Sequence, residues 1–125
     1  MVLADGCFDP IHAGHIRYLA MASAWGDLAV RVAPDADILK KRGLVYQTHD
    51  ERMLTIAALR SVDQVIDTEE SLAATIRALE PEYLVKGADW RGRLPSDVVT
   101  ACKEVGTQIL YVDEQTRSSS ERLQA

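Results

Sequence analysis

Gly6-Cys7-Phe8-Asp9-Pro10-Ile11-His12-Ala13-Gly14-His15 is the stretch on which the reading of this chain turns. A short apolar run, Met1-Val2-Leu3-Ala4, precedes it and has the character of a buried strand. Ile16-Arg17-Tyr18-Leu19-Ala20-Met21-Ala22 follows it and has the character of a helix. The stretch is therefore a strand-to-helix turn that carries two imidazoles three residues apart. Gly6 and Gly14 permit close approach of backbone to a ligand. A helix start offers free N–H groups and the positive end of the dipole, which suits phosphate. Imidazoles aimed at the same place hydrogen-bond phosphoryl oxygens as charge builds in a transition state.

Working outward, strand and helix signals alternate to the end of the chain. Leu28-Ala29-Val30-Arg31-Val32-Ala33 is a second strand. Thr48-His49-Asp50-Glu51 is a capping box that opens a helix through Met53, Ile56 and Leu59-Arg60. Val62 to Ile66 is a third strand. Ser71 through Leu79 is a helix with apolar residues at Leu72, Ile76 and Leu79, stopped by Pro81. Tyr83-Leu84-Val85 is a fourth strand. Pro95 suits the first turn of a helix that ends at Gly106. Gln108-Ile109-Leu110-Tyr111-Val112 is a fifth strand, and Ser118-Ser119-Ser120 caps a last, short helix. Pro34 to Gln47 is the least regular stretch and reads as a mobile substrate loop. Such alternation implies right-handed βαβ units. The expected fold is a single Rossmann-like three-layer α/β domain over residues 1–125, with a five-stranded parallel sheet. Its ligands bind at the carboxyl ends of the strands, near the topological switch point.

Composition narrows the function. The 125 residues suffice for one core, and 47% are hydrophobic. A net charge of -5 argues against a polynucleotide partner, which favours a basic excess. No apolar run approaches the roughly 20 residues that span a bilayer, and no signal peptide opens the chain, so a cytoplasmic protein is expected. Cys7 and Cys102 form no Cys-x-x-Cys pair and read as small buried hydrophobes in a reducing compartment.

His12 and His15 also have the spacing of a metal pair, but no third ligand is evident nearby and no metal site is expected. Lys40-Lys41-Arg42-Gly43 is either a solvated face or a phosphate-neutralising run at the ligand edge. Arg52, in a first helical turn, opposes the helix dipole and needs compensation, from Asp50 or Glu51 or from a ligand. Lys86-Gly87-Ala88-Asp89-Trp90 follows the fourth strand. Gly87 there permits approach of a base or ribose, while Trp90 reads as a cover for the sheet.

His-x-Gly-His after Gly-x-Phe-Asp resembles the signature of the cytidylyltransferase-like nucleotidyltransferase superfamily. The similarity extends from Gly6 to Leu123. It is greatest to the heptose 1-phosphate adenylyltransferase branch, through Gly6-Cys7-Phe8-Asp9, Asp50-Glu51-Arg52-Met53 and Leu84-Val85-Lys86-Gly87-Ala88-Asp89, and next to glycerol-3-phosphate cytidylyltransferase. The resemblance implies transfer of a nucleoside monophosphate, with ATP favoured over CTP, to a small phosphorylated acceptor such as a sugar 1-phosphate, releasing pyrophosphate. It implies catalytic roles for His12, His15 and Lys40. Nucleotide contacts are implied for Gly6, Cys7, Phe8, Asp9, Gly14, Lys86, Gly87, Asp89, Ser118, Ser119 and Ser120, and acceptor contacts for Lys41 and Arg52. Mg²⁺ held mainly through nucleotide phosphates, and a homodimer, are also implied. The chain departs from its relatives at Asp5, where the heptose branch has Asn, and at Thr116-Arg117. The alternatives are a glycerol-3-phosphate cytidylyltransferase-type enzyme and a nucleotide-binding module with little catalysis.

Overall fold

The computed structural model describes residues 1–113. Five parallel strands form one sheet: β1 (Val2–Gly6), β2 (Leu28–Val32), β3 (Gln64–Ile66), β4 (Tyr83–Gly87) and β5 (Gln108–Val112), in the order β3-β2-β1-β4-β5. The expected three-layer α/β architecture is present. Among the described residues five α-helices complete it: α1 (Ala13–Ser23), α2 (Asp35–Arg42), α3 (His49–Ala57), α4 (Leu72–Leu79) and α5 (Ser96–Val105).

Side chains alternate across a strand, so each central strand feeds two cores. Val2, Ala4, Val30, Val32 and Val85 pack with Tyr18, Leu19 and Ala22 of α1 and Ile56 of α3. Leu3, Ala29 and Leu84 pack on the opposite face with Ala73 and Ile76 of α4 and Ala101 and Cys102 of α5. Strands buried on both faces read as continuous apolar runs, which is why β1, β2 and β4 are legible as strands. The order reverses direction between β1 and β4, and that switch point lies directly under the turn at residues 6–15.

The helix ends follow local chemistry. Thr48 caps α3 by accepting from the Glu51 N–H, and Ser71 caps α4 by accepting from the Ala74 N–H. Glu80, at φ 47°, ends α4 one residue before Pro81, and Gly106, at φ 79°, ends α5.

Two expectations about this frame fail. Pro34 to Gln47 is not an irregular loop, because α2 occupies most of it. Only Ile38 of α2 is buried, so the segment carries no apolar periodicity. Its signal is electrostatic instead: Asp35 and Asp37 in the first turn, Lys40, Lys41 and Arg42 in the last, and Gly43 at φ 77° as the stop. The other failure is at the end of α3, which stops at Ala57 rather than running to Arg60. The Ser118-Ser119-Ser120 cap lies outside the described residues. Among the described residues no helix is long and apolar enough to cross a membrane.

Candidate active site

The turn after β1 organises itself. His12 is the N-cap of α1, and its Nδ1 accepts from the Gly14 N–H at 3.0 Å. His15 Nδ1 accepts from the His12 N–H at 3.1 Å. A ring nitrogen that accepts carries no proton, so both neutral imidazoles hold theirs on Nε2. The rings stack with centroids 3.7 Å apart, and Phe8 meets His15 edge-on at 5.1 Å. Burial, and then the charge His12 would carry, lower the His15 pKa from 6.5 to about 4. Near neutrality His15 is therefore uncharged, and the cap hydrogen bonds direct the Nε2–H of both rings away from the turn, neither held by a partner among the described residues.

The glycines line the cleft and also make room within the turn itself. A Cβ on Gly14 would lie 2.8 Å from His12 Cε1, and one on Gly6 would lie 2.9 Å from Phe8 Cζ. Both make room for the protein's own rings. Phe8 is buried and sits at φ 52°, an uncommon conformation for a non-glycine residue, held here by its packing.

Two ionic clamps, each with one buried partner, fasten the α2–α3 arm to the turn. The Asp9 carboxylate, whose side chain is fully enclosed, accepts from Arg42 Nη2 and from the backbone N–H groups of Tyr46 and Gln47. Arg52 is 0% exposed. Its guanidinium donates to the carbonyl oxygens of Gln47, Cys7 and Ala33 and to Asp35 Oδ1. The compensation that Arg52 needs thus comes neither from Asp50 or Glu51 nor from an acceptor: it ties three loops together beneath the site and does not line the cleft. Asp9 lines the cleft, but its carboxylate is taken up by the clamp.

An open cleft of ≈ 1070 Å³ runs along the carboxyl edge of the sheet. That is at the upper end of the usual range of about 300–1,000 Å³ for small-molecule sites. His12 and His15 line it together with Lys40 and Lys41 from the exposed last turn of α2, with Lys86 and Gly87 from the end of β4, and with Asp89 from the 3-10 turn that follows. Cys7 lines it as well and is half-buried; only Cys102 is a fully buried thiol, and burial pushes its pKa up. Trp90 is more than a cover for the sheet. It lines the cleft, with Lys86 Nζ 4.6 Å and Lys41 Nζ 5.8 Å from its ring centroid.

Arg31 also lines the cleft and was not among the expected site residues. Burial opposes its charge, but Asp5 and Asp37 outweigh that and raise its pKa above the ordinary value. Its signal was legible: an arginine in the middle of an otherwise apolar strand, Leu28-Ala29-Val30-Arg31-Val32, needs buried partners.

The cytidylyltransferase-like family model matches residues 3–122. The chain belongs to the cytidylyltransferase-like family. It is a nucleotidyltransferase-type domain, and the expected resemblance holds. It is 39% identical over 109 residues to "Bifunctional protein HldE" of Wolinella succinogenes, covering 82% of this chain. It is 46% identical over 97 residues to the HldE of Azotobacter vinelandii, covering 72% of this chain. The chain spans 23% and 20% of those two relatives' own length. Among solved structures, the lipopolysaccharide core biosynthesis protein of Thermoplasma volcanium superposes with a TM-score of 0.71 at 26% identity, covering 90% of this chain and 93% of that one. A protein of unknown function from Archaeoglobus fulgidus shares the fold, with a TM-score of 0.74 at 19% identity over 94% of this chain and 93% of that one.

Proposed function

We propose that the chain transfers a nucleoside monophosphate from a nucleoside triphosphate, ATP before CTP, to a small phosphorylated acceptor of the sugar 1-phosphate kind. The observation that carries this reading is the pair of reciprocally capped imidazoles, whose Nε2–H donors are fixed at a helix N-terminus in an open cleft that Lys40, Lys41 and Lys86 also line. The similarity to HldE and to the Thermoplasma volcanium protein supports a sugar acceptor.

The acceptor's phosphate oxygen is already anionic, so the reaction needs no strong general base. That oxygen attacks the α-phosphorus in line and forms a new P–O bond. The bond to the β-bridging oxygen breaks, and its electron pair leaves on pyrophosphate. His12 and His15 hold α- and β-phosphoryl oxygens through Nε2–H and strengthen those bonds as charge develops. His15, neutral near pH 7, donates through Nε2–H while its Nδ1 stays in the helix cap. Lys40 neutralises charge on the acceptor or α-phosphate. Lys86 and Asp89 line the nucleotide side, and Lys41 the acceptor side. No cluster of three or more carboxylate, imidazole or thiol groups converges among the described residues, so Mg²⁺ would arrive on the phosphates, with Asp89 as an oxygen donor of the right kind, and would spread their charge. Ser118, Ser119 and Ser120 remain the proposed anchor for the leaving pyrophosphate.

The test is pyrophosphate release with Mg²⁺, crossing ATP and CTP against heptose 1-phosphate and glycerol 3-phosphate. His15→Asn keeps an acceptor at the Nδ1 position and removes the Nε2–H. It is expected to retain the fold and lower turnover by roughly 10²–10³. Wild-type turnover in His15→Asn would overturn the assignment.

A further inference from the structure

Arg31, Asp5 and Lys86 stand side by side on three adjacent strands, β2, β1 and β4. Asp5 is the register partner of Arg31, and Lys86 follows the last paired position on β4. Asp5 Oδ1 lies 2.8 Å from Arg31 Nη1, and its Oδ2 lies 3.4 Å from Lys86 Nζ. The three side chains are 4%, 13% and 6% exposed. Two buried cations thus share one buried carboxylate; the remaining acid, Asp37, is half exposed and largely screened by solvent.

The two cations are held very differently. Arg31 spends four of its five N–H donors on the protein: Nε and Nη2 donate to the Glu70 carbonyl oxygen, Nη1 to Asp5, and Nη2 also to Asp37. Lys86 has one long hydrogen bond, to Asp5, and the face of Trp90. Removing Lys86 from Asp5 leaves no orphaned carboxylate, because Arg31 remains. The unbalanced positive charge of the row is therefore concentrated on the ammonium that lines the cleft.

We propose that Arg31 is a positioning residue that acts as the standing counter-ion of Asp5 and so releases Lys86 to bind nucleotide phosphate. The proposal rests on the nucleotide reading given above. Its signature is a charge ladder across the row. Wild type carries one net positive charge, Asp5→Asn two, Arg31→Met none, and Asp5→Asn with Arg31→Met one again. With no Arg31, Lys86 becomes the sole partner of a buried carboxylate, and withdrawing it costs a buried pair.

Calorimetric titration of the full chain with ATP and with CTP tests the ladder. Arg31→Met is expected to weaken binding about tenfold, as loss of one charge-assisted hydrogen bond would. Asp5→Asn tightens binding, and the double variant returns it to near the wild-type value. Adding Arg31→Met to Lys86→Met changes nothing further, because Arg31 acts through Lys86. A merely structural Arg31 would give no tightening in Asp5→Asn and no rescue in the double variant, and either result overturns the proposal. If Arg31→Met does not fold, Asp5→Asn decides alone, since it keeps both cations and an acceptor for Arg31. Unchanged ladder affinities in a chain that binds nucleotide overturn the proposal only; absence of nucleotide binding in the wild type overturns it together with the nucleotide reading.

Discussion

The turn between β1 and α1 and the arm formed by α2 and α3 border the same cleft but are held by opposite means. The turn is stabilised from within, by hydrogen bonds spanning two or three residues and by three rings packed on one another. The arm is held chiefly by contacts distant in sequence: Asp9 to Arg42 across 33 positions, and Arg52 to Ala33 and Cys7 across 19 and 45. A self-supporting turn can keep its donors in place while its neighbours move. An arm that depends on buried charges is lost as a unit when one charge is lost. Rigid donors belong where charge develops in a reaction. Lys40 and Lys41 of α2 sit at the end of an arm whose attachment, through Arg42 and Arg52, is separate from them.

Removing the arm's clamp is expected to have the largest effect on stability. Arg52→Met strips the donors from three carbonyl oxygens and leaves Asp35 unpaired. It should lower unfolding stability by about 3–5 kcal/mol in urea denaturation. Asp35 is partly exposed, so the lower part of that range is expected. Stability within the ordinary error of wild type would show that the arm is held by something other than this guanidinium.

The same contrast explains what the sequence discloses. The turn is legible because its parts are adjacent: a glycine, a phenylalanine and two histidines at fixed spacing state the geometry almost completely. The strands are legible because burial on both faces gives apolar runs. The clamps are not legible, since nothing near Arg52 announces that Cys7 and Ala33 supply its acceptors. It reads locally as an arginine against a helix dipole. α2 is missed for a related reason. Its helix is written in end charges and a stop glycine, whereas apolar spacing registers only Ile38. Gly6 and Gly14 are legible as glycines of close approach, but what approaches them, Phe8 and His12, emerges only when the rings are placed.

Gly14→Ala sharpens the comparison at the turn with a smaller stability effect. The new methyl would meet the His12 ring at 2.8 Å. His12 is exposed, so the ring swings away rather than straining a core. We expect a loss of about 1 kcal/mol, that of one cap hydrogen bond, in thermal unfolding. Turnover should fall by more than that loss explains, because the displaced imidazole no longer presents its Nε2–H. A variant with normal turnover would mean that the exact placement of His12 is not needed.

The smallest effect isolates a single proton. In the unfolded chain His15 titrates near 6.5, and in the folded turn at about 4. Below 6.5 the unfolded chain takes up a proton that the folded ring refuses until about 4. The unfolded state therefore binds more protons in this window, and stability falls as pH drops from 6.5 toward 4. Above 6.5 the ring is neutral in both states and contributes no slope. Carboxylates also titrate near the lower end, so the wild-type curve alone cannot assign the effect. His15→Asn supplies the reference, since it retains an acceptor for the His12 N–H and has nothing to protonate. The difference between the two stability curves, measured by urea unfolding from pH 4 to 8, should be flat above 6.5 and should decline below it. A flat difference throughout would mean that the His15 ring accepts a proton in the folded turn as readily as in water, and that its Nδ1 is not committed to the helix cap.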